Sequence, residues 1–242
     1  MIIGKIRGKV KTHLKRITVL FENESCLVLN KPAGLAVQGG EGVGVSLDSI
    51  LTAEYFPRPL LVHRLDRDTS GVILTAKTKE DAARFSRLFA ERASAFAEPG
   101  ILKQYLAVCS GAPAAETGVI TLDLAIRGSK KKSETGFRCV KRSGDFSVLE
   151  LELGSGRMHQ IRRHLALTGT PVLGDDKYGN FALNRELRKK FGLRRLLLHA
   201  SRLFISEALT GFPGGLDVTA PLPDYFENFL DVMSGCYNLN CH

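Results

Sequence analysis

Short apolar runs separated by polar turns dominate the first third of the chain. They occupy residues 17–21, 26–29, 59–62 and 72–76. Each run is shorter than an average helix and is bounded by turn-forming residues, a pattern that is typical of β-strands. The pattern therefore predicts four short strands in this part of the chain.

Two amphipathic stretches between these runs predict helices. Ser46 is placed to cap a helix whose apolar residues recur on one face. Thr78 and Asp81 resemble a capping box, after which a second helix would extend to about Arg92.

Strands and helices also alternate in the rest of the chain. Further strands are predicted at 102–108, 119–122, 136–140, 146–153 and 196–198, and further helices at 158–167, at 184–191 and after Pro223. Strands outnumber helices and often follow one another directly. We therefore predict an α+β fold with a mostly antiparallel mixed β-sheet and flanking helices.

Length and composition are ordinary for a globular protein. The chain has 242 residues, of which 44% are hydrophobic and 24% charged. No apolar run approaches the ~20 residues that span a bilayer, and the N-terminus has no signal-peptide pattern. We expect a cytoplasmic protein without a membrane partner, with one domain at 17–233, a basic arm at 1–16 and a tail at 234–242.

The charge balance predicts a polyanionic partner. Lysine and arginine number 34 against 25 acidic residues, a net charge of +9. The excess is concentrated in the N-terminal arm, in Lys130–Lys132, and in a third group made of Arg185, Arg188, Lys189, Lys190, Arg194 and Arg195. Basic segments that converge on one face would follow a phosphate backbone, whereas separate solvated faces would mean little.

The cysteines fit a reducing compartment. There are five, an odd number without close pairing, which favours free thiols. Cys236, Cys241 and His242 could hold a metal ion, but their wide spacing in a terminal tail favours a frayed end.

The main candidate for chemistry is the polar run at 63–71, His-Arg-Leu-Asp-Arg-Asp-Thr-Ser-Gly, between two predicted strands. Functional residues concentrate in loops that rigid elements hold. Arg64 and Arg67 beside Asp66 and Asp68 favour ionised carboxylates. An ionised carboxylate on a fixed loop can act as a nucleophile or a base.

Two alternatives compete for this run. Asp-Thr-Ser-Gly is ordinary turn chemistry, and most such turns are not catalytic. The spacing also resembles the start of an EF-hand calcium loop, which requires a Glu at position 12 and flanking helices. Lys77 occupies that position and the flanks are strand-like, so calcium binding is not expected.

Residues 156–165 form a second unusual segment, Gly-Arg-Met-His-Gln-Ile-Arg-Arg-His-Leu. Arg162 lies at the edge of the apolar helix face, where a partly buried arginine needs a carboxylate partner. Asp66 or Asp68 would serve, although the pattern alone favours a surface arginine. A third motif places Tyr105 on a strand, where it could be a core residue, stack on a base or accept a proton.

Together these segments resemble the RluA-type pseudouridine synthases. The resemblance covers roughly residues 17–225 in order and spacing. It rests on His63-Arg64-Leu65-Asp66, Thr69-Ser70-Gly71, Lys103-x-Tyr105 and Gly156-Arg157-x-His159-Gln160-Ile161-Arg162-x-His164, and on Asn30–Gly34, Gly174-Asp175-x-x-Tyr178-Gly179 and Leu198-His199-Ala200.

The resemblance implies the pseudouridine synthase fold over 17–233 and the isomerisation of uridine to pseudouridine in RNA, without cofactor or metal. It implies that Asp66 is the nucleophile or its equivalent, that Tyr105 lies against the target base, and that Arg162 pairs with Asp66. Leu198 is expected beneath the base and Arg64 in the space that the flipped base leaves. Further contacts with RNA are expected from His63, Thr69, Arg157, His159 and Gln160.

The resemblance leaves the target open. Many members carry an N-terminal RNA-binding domain, where this chain has only the basic arm. The segment Ser133-Glu134-Thr135-x-Phe137 resembles members that act on large-subunit ribosomal RNA, while transfer RNA is the alternative. We expect a monomer. Two other functions compete: a catalytically silent RNA-binding protein, and a glycoside or nucleoside hydrolase that uses Asp66 and Asp68 as paired carboxylates.

Overall fold

The structure is a computed structural model that describes residues 17–40, 42–91, 100–126, 129–153 and 156–235. The predicted arm at 1–16 lies outside these ranges, as do Cys236, Cys241 and His242. The side chains of Lys130, Lys131 and Lys132 also lie outside what is described.

The chain divides into two compact units. Of the described residues, the first unit contains 17–91, 100–103 and Ala200–Pro221, and the second contains those of 104–199 and 222–235. The strands β5 (Ile101–Ser110) and β9 (Leu198–Ile205) each contribute residues to both units.

Strands of the first unit pair in the order β1-β2-β4-β9, with β3 beside β4 and β10 beside β9. The registered pairs β1–β2, β2–β4, β3–β4 and β9–β10 are antiparallel. Besides β9, the elements are β1 (Thr18–Glu22), β2 (Cys26–Lys31), β3 (Leu60–Leu61), β4 (Ser70–Ala76) and β10 (Leu216–Thr219), with helices α1 (Leu47–Glu54), α2 (Lys79–Glu91) and α5 (Glu207–Thr210).

Strands of the second unit pair in the order β5-β8-β7-β6, and the three pairs β5–β8, β7–β8 and β6–β7 are antiparallel. Its other elements are β6 (Thr117–Ile126), β7 (Ser129–Ser143) and β8 (Phe146–Leu153), with helices α3 (Gln160–Leu167), α4 (Phe181–Phe191) and α6 (Asp224–Met233). The predicted α+β class with a mostly antiparallel sheet is confirmed.

Each unit has its own apolar core. In the first, Val28, Leu74 and Phe85 are buried together with Leu203 and Ile205. In the second, apolar side chains of β5, β8 and α6 are buried against Leu173, Leu187 and Leu197. Among the described residues, no helix combines the length and apolarity that a membrane span requires.

The cap residues predicted for the first two helices are confirmed. Ser46 accepts a hydrogen bond from the backbone N–H of Ser49 at 3.2 Å and donates its own N–H to the Ser49 hydroxyl at 3.0 Å. Thr78 accepts from the backbone N–H of Asp81 at 3.0 Å. These bonds satisfy N–H groups that the first turn of a helix leaves without partners.

Strand boundaries in the C-terminal part differ from the prediction. The strand predicted at 196–198 instead spans Leu198–Ile205. The prediction ended too early because polar residues at His199, Ser201 and Arg202 interrupt the apolar run. The four-residue strand β10 and the single turn α5 are too short for a periodicity signal. Strand β7 extends beyond 136–140 at both ends.

Gly71 is required by the close approach of β4 and β9 in the first unit. It pairs with Lys31 of β2, and its φ is +111°. A Cβ at this position would lie 2.7 Å from the carbonyl carbon of Ala200, closer than non-bonded atoms approach. Only glycine fits both the backbone conformation and the space.

We therefore expect Gly71→Ala to lower the free energy of unfolding by about 2–4 kcal/mol, from strain and forced separation of backbones. Urea unfolding measures this loss. The matched control is Gly44→Ala, because a Cβ at Gly44 meets no atom within 4 Å. Equal stability of the two variants would contradict the assignment.

Candidate active site

The Asp66 loop is a short connection between paired strands of the first unit. Leu61 of β3 pairs with Thr75 of β4, so residues 62–69 join two fixed ends, as predicted. Within the loop, Leu65 is buried, and the backbone N–H of Thr69 donates to the Asp66 carbonyl at 3.2 Å. The flanks are strands rather than the helices of a calcium loop.

Arg67 binds the loop to the turn that follows β2. The backbone N–H of Gly34 donates to the Arg67 carbonyl at 2.8 Å, and the Arg67 Nε donates to the Gly34 carbonyl at 3.1 Å. Gly34 has a φ of +88°, which glycine adopts readily. The residue next to Asp66 is thereby held from both its main chain and its side chain.

Lys31 is the second anchor of this loop. Its side chain is fully buried, and Nζ donates to the carbonyls of Pro32 at 3.0 Å, Leu35 at 2.8 Å and Arg67 at 3.0 Å. Three acceptors match the three donors of an ammonium group.

Burial nevertheless disfavours the charged form of Lys31. Burial lowers the pKa of the Lys31 ammonium to about 7, against the opposing attraction of the Asp68 and Asp66 carboxylates. The contact of this cation with the Asp66 loop was not predicted from the sequence, because a lysine that ends a strand ordinarily extends into solvent.

His63 and Arg64 differ in their surroundings. The His63 Nε2 accepts the Leu74 backbone N–H at 2.9 Å, and its ring packs edge-on against Phe89 at 4.7 Å. Burial, and secondarily the charge of Lys103, lower the pKa of His63 to about 3, so the ring is neutral. Arg64 is exposed. The contacts of both residues with RNA stay predictions.

Arg162 forms a buried ion pair in the second unit. Its Nε and Nη2 each donate to a carboxylate oxygen of Asp175 at 2.7 Å, and the two side chains are 5% and 1% exposed. Asp176 lies 3.5 Å from the same Nη2 but is exposed. The interpretation of Arg162 as a surface residue is wrong, and its described partner is Asp175. Pairing of Arg162 with Asp66 stays a prediction.

Asp175 also organises the turn around it. Its Oδ1 accepts the backbone N–H groups of Lys177 and Tyr178, both at 2.9 Å. Burial raises the pKa of Asp175, but the hydrogen bonds from Arg162 and from these two N–H groups outweigh burial and hold it below the ordinary value. The carboxylate is therefore ionised at neutral pH.

His159 and Gln160 begin helix α3. His159 has a left-handed backbone with a φ of 52°, uncommon for a residue with a side chain, and its Nδ1 lies 3.0 Å from the Tyr178 hydroxyl. Gln160 is buried and donates to the Glu134 carbonyl at 2.8 Å and to the Thr135 hydroxyl at 3.2 Å. These contacts orient the start of α3.

The remaining predicted site residues have defined positions. Tyr105 of β5 is 9% exposed and pairs in register with Leu151, and Leu198 is buried at the start of β9. Thr69 is buried in the first unit. Arg157 is half-buried, and its Nε has no hydrogen-bond partner within the described residues.

The predicted residues thus form two groups. His63, Arg64, Asp66 and Thr69 belong to the first unit, and the second contains Tyr105, Arg157, His159, Gln160, Arg162 and Leu198. Lys31 and Asp175 lie in two of the motifs that carry the resemblance, but no supporting role was predicted for either residue from the sequence. Among the described residues, no cluster of three or more His, Cys, Asp or Glu side chains could hold a metal ion.

Comparison with known proteins identifies the class. The family model described as RNA pseudouridylate synthase matches residues 25–167, a range that contains the Asp66 loop, Tyr105 and Arg162. The chain belongs to this family of isomerases that act on RNA, as the sequence motifs predicted.

Curated relatives agree with this assignment, and one solved structure agrees with the fold. The ribosomal large subunit pseudouridine synthase C of Rickettsia typhi is 31% identical over 236 residues, which cover 90% of this chain and 73% of that protein. The protein of that name from Escherichia coli O157:H7 is 35% identical over 244 residues, 93% of this chain and 74% of the relative. Human RNA pseudouridylate synthase domain containing 4 shares the fold, with a TM-score of 0.77, 24% identity and coverage of 96% of this chain and 98% of that one.

Removal of the Asp175 charge is expected to be strongly destabilising. Asp175→Asn leaves the buried Arg162 guanidinium without its main counter-charge, which costs about 3–5 kcal/mol. Urea unfolding of Asp217→Asn is the matched control, since Asp217 binds Arg202 through the same two-pronged geometry in an exposed pair. The control should lose at most about 1 kcal/mol, and a similar loss in both variants would contradict the role of burial.

Lys31 should make stability depend on pH. Its folded pKa of about 7 lies below the ordinary 10.5, so between these values the unfolded chain binds one more proton. The contribution of Lys31 to the free energy of unfolding therefore increases as the pH is raised above about 7. We expect Lys31→Met to lose this rise when urea unfolding is compared with the wild type between about pH 7 and 9. Parallel curves for the two proteins would show that Lys31 does not titrate there.

Proposed function

We propose that the protein converts uridines of large-subunit ribosomal RNA to pseudouridine, as a cytoplasmic monomer. The names of the curated relatives in Rickettsia typhi and Escherichia coli support the ribosomal target. The observation that carries the proposal is an aspartate, Asp66, on a loop that Lys31 and Arg67 fix to the neighbouring turn, within the range of the family match.

Asp66 is the nucleophile or its equivalent in this proposal. The bond between uracil N1 and the ribose breaks, the base rotates, and a bond forms between carbon 5 and the ribose. The proton on carbon 5 leaves, and N1 gains one, so the reaction needs no other reactant. A fixed carboxylate suits this chemistry, because a reacting group held in one geometry avoids the entropic cost of finding it.

Tyr105 and Arg162 complete the proposed catalytic group. Tyr105 lies against the target base and is the candidate that moves the carbon-5 proton. Arg162 pairs with Asp66, and its five N–H donors allow it to bind a second carboxylate besides Asp175. The buried position of Tyr105 and the fixed guanidinium of Arg162 support these roles.

RNA binding must offset the cost of exposing the target nucleotide. A stacked uridine is flipped out at a cost of a few kcal/mol. In this proposal Arg64 fills the vacated space and Leu198 lies beneath the base. Further contacts come from His63, Thr69, Arg157, His159 and Gln160. The exposure of Arg64 supports its part, and a net charge of +9 supports binding that weakens as salt rises.

Asp66→Asn is expected to lower pseudouridine formation by roughly a thousandfold or more, since loss of a nucleophile removes the chemical step. Ribosomal RNA from a strain lacking the gene would be treated with each variant. Pseudouridine is then mapped by carbodiimide labelling and reverse-transcription stops. Binding of the RNA should remain within about threefold of the wild type, because the change removes one charge that opposes phosphate.

The control is Asp68→Asn, a change of the neighbouring carboxylate, which is expected to retain activity. Equal loss in both variants, with release of free uracil, would favour a hydrolase with paired carboxylates. Full activity of Asp66→Asn would refute the assigned nucleophile. RNA binding by the wild type without any pseudouridine, on free RNA and on assembling subunits, would favour the silent RNA-binding protein.

A further inference from the structure

Helix α4 and the residues just after it form a dense cluster of positive charge in the second unit. Residues 185–195, on α4 and just after it, contain six basic residues and a single acidic one, Glu186. Glu186 pairs with Lys190 at 2.8 Å. The other five basic residues form no ion pair within the described residues, and all five are exposed. They are Arg185, Arg188, Lys189, Arg194 and Arg195.

Three of these cations share one face of the helix. At about 100° per residue, Arg185, Arg188 and Lys189 lie within an arc of about 100°. They lie opposite Leu183 and Leu187, which pack into the core of the second unit. Like charges three and four residues apart repel one another and weaken an isolated helix. A polyanion bound along this face would attract all three cations and offset their mutual repulsion.

The helix is anchored to the turn that holds Arg162. Asn184 accepts the backbone N–H of Gly174 at 2.9 Å and donates to the Asp175 carbonyl at 2.9 Å. Asn180 caps the first turn, and Gly192 ends the helix in a left-handed conformation. Helix α4 therefore cannot shift along this turn without breaking both bonds of Asn184.

We infer that the face of α4 formed by Arg185, Arg188 and Lys189 binds the phosphate backbone of the substrate RNA outside the target nucleotide. This inference rests on the proposed function. The chemistry is that of phosphate contacts, which give affinity and position without reading bases. Because Asn184 connects α4 to the Asp175 turn, RNA bound here is held at a fixed place relative to Arg162.

An RNA backbone suits this face better than a membrane surface. A helix that lies on a bilayer inserts its apolar side among the lipids. On α4 the side that contains Leu187 is already buried, since Leu187 is 3% exposed. Phe181 and Phe191 are exposed at opposite ends of the helix and do not form a continuous apolar face. The cations between them match a partner that carries one negative charge per nucleotide.

The test compares two double variants that remove equal charge from exposed helix positions. The first is Arg185→Gln with Arg188→Gln on α4. The control is Lys79→Gln with Arg87→Gln on α2, where both residues are exposed and form no ion pair within the described chain. Glutamine has a helix propensity close to that of lysine and arginine, and thermal unfolding checks that both variants are folded.

Binding of transcribed large-subunit ribosomal RNA is measured by fluorescence anisotropy over a range of KCl concentrations. Loss of two phosphate contacts should weaken binding about tenfold and reduce the slope of log K against log salt by about 1.4–1.8. Pseudouridine formation by the α4 variant should show a raised KM and an unchanged kcat, because the chemical step is untouched. The α2 variant should match the wild type in RNA affinity, salt slope, KM and kcat.

Three results would overturn the inference: an unchanged salt slope in the α4 variant, an equal loss in both variants, or weaker binding to phosphatidylserine vesicles with RNA binding intact. Failure of the proposed function is a separate result. In that case the wild type forms no pseudouridine on any RNA, while the salt slopes of the two variants still report whether α4 binds the backbone.

Discussion

The buried ion pair between Arg162 and Asp175 is the constraint on which the second unit's site depends. Two charges inside a protein are stable only when each is paired and hydrogen-bonded. Asp175 meets this requirement through Arg162 and through two backbone N–H groups of its own turn. Asn184 holds the main chain of the same turn. The orientation of α3, the turn and the position of α4 therefore depend on one carboxylate.

The first unit uses the same principle with a different cation. Lys31 has no carboxylate within hydrogen-bonding distance among the described residues, and three carbonyls surround its amine instead. Burial makes the charged form of Lys31 less favourable, and the pKa of Lys31 therefore falls to about 7. In both units, buried polar contacts fix charged residues that the family motifs contain. Such contacts are directional, so they determine position more narrowly than apolar surfaces do.

The sequence predicted local features better than partners. Strands on both sides of the Asp66 loop and the caps of two helices follow from periodicity and turn chemistry. The pattern around Arg162 favoured a surface arginine, whereas the side chain is buried and paired with a carboxylate. Its described partner could not be found, because Asp175 is 13 residues away with no periodic relation to Arg162. The contact between Lys31 and the Arg67 carbonyl was not predicted for the same reason, since the two residues are 36 positions apart.

The bonds from Lys31 and Gly34 to Arg67 also bear on how the chain folds. They join segments that are distant in sequence, so they cannot form from local structure alone. Antiparallel pairing of β2 with β4 brings these segments together. Once the strands are paired, the bonds to Arg67 form without a further entropic cost for closing the intervening chain. The Asp66 loop thus takes its shape as a late product of sheet assembly. A nascent chain has no ordered Asp66 loop until both strands have left the ribosome.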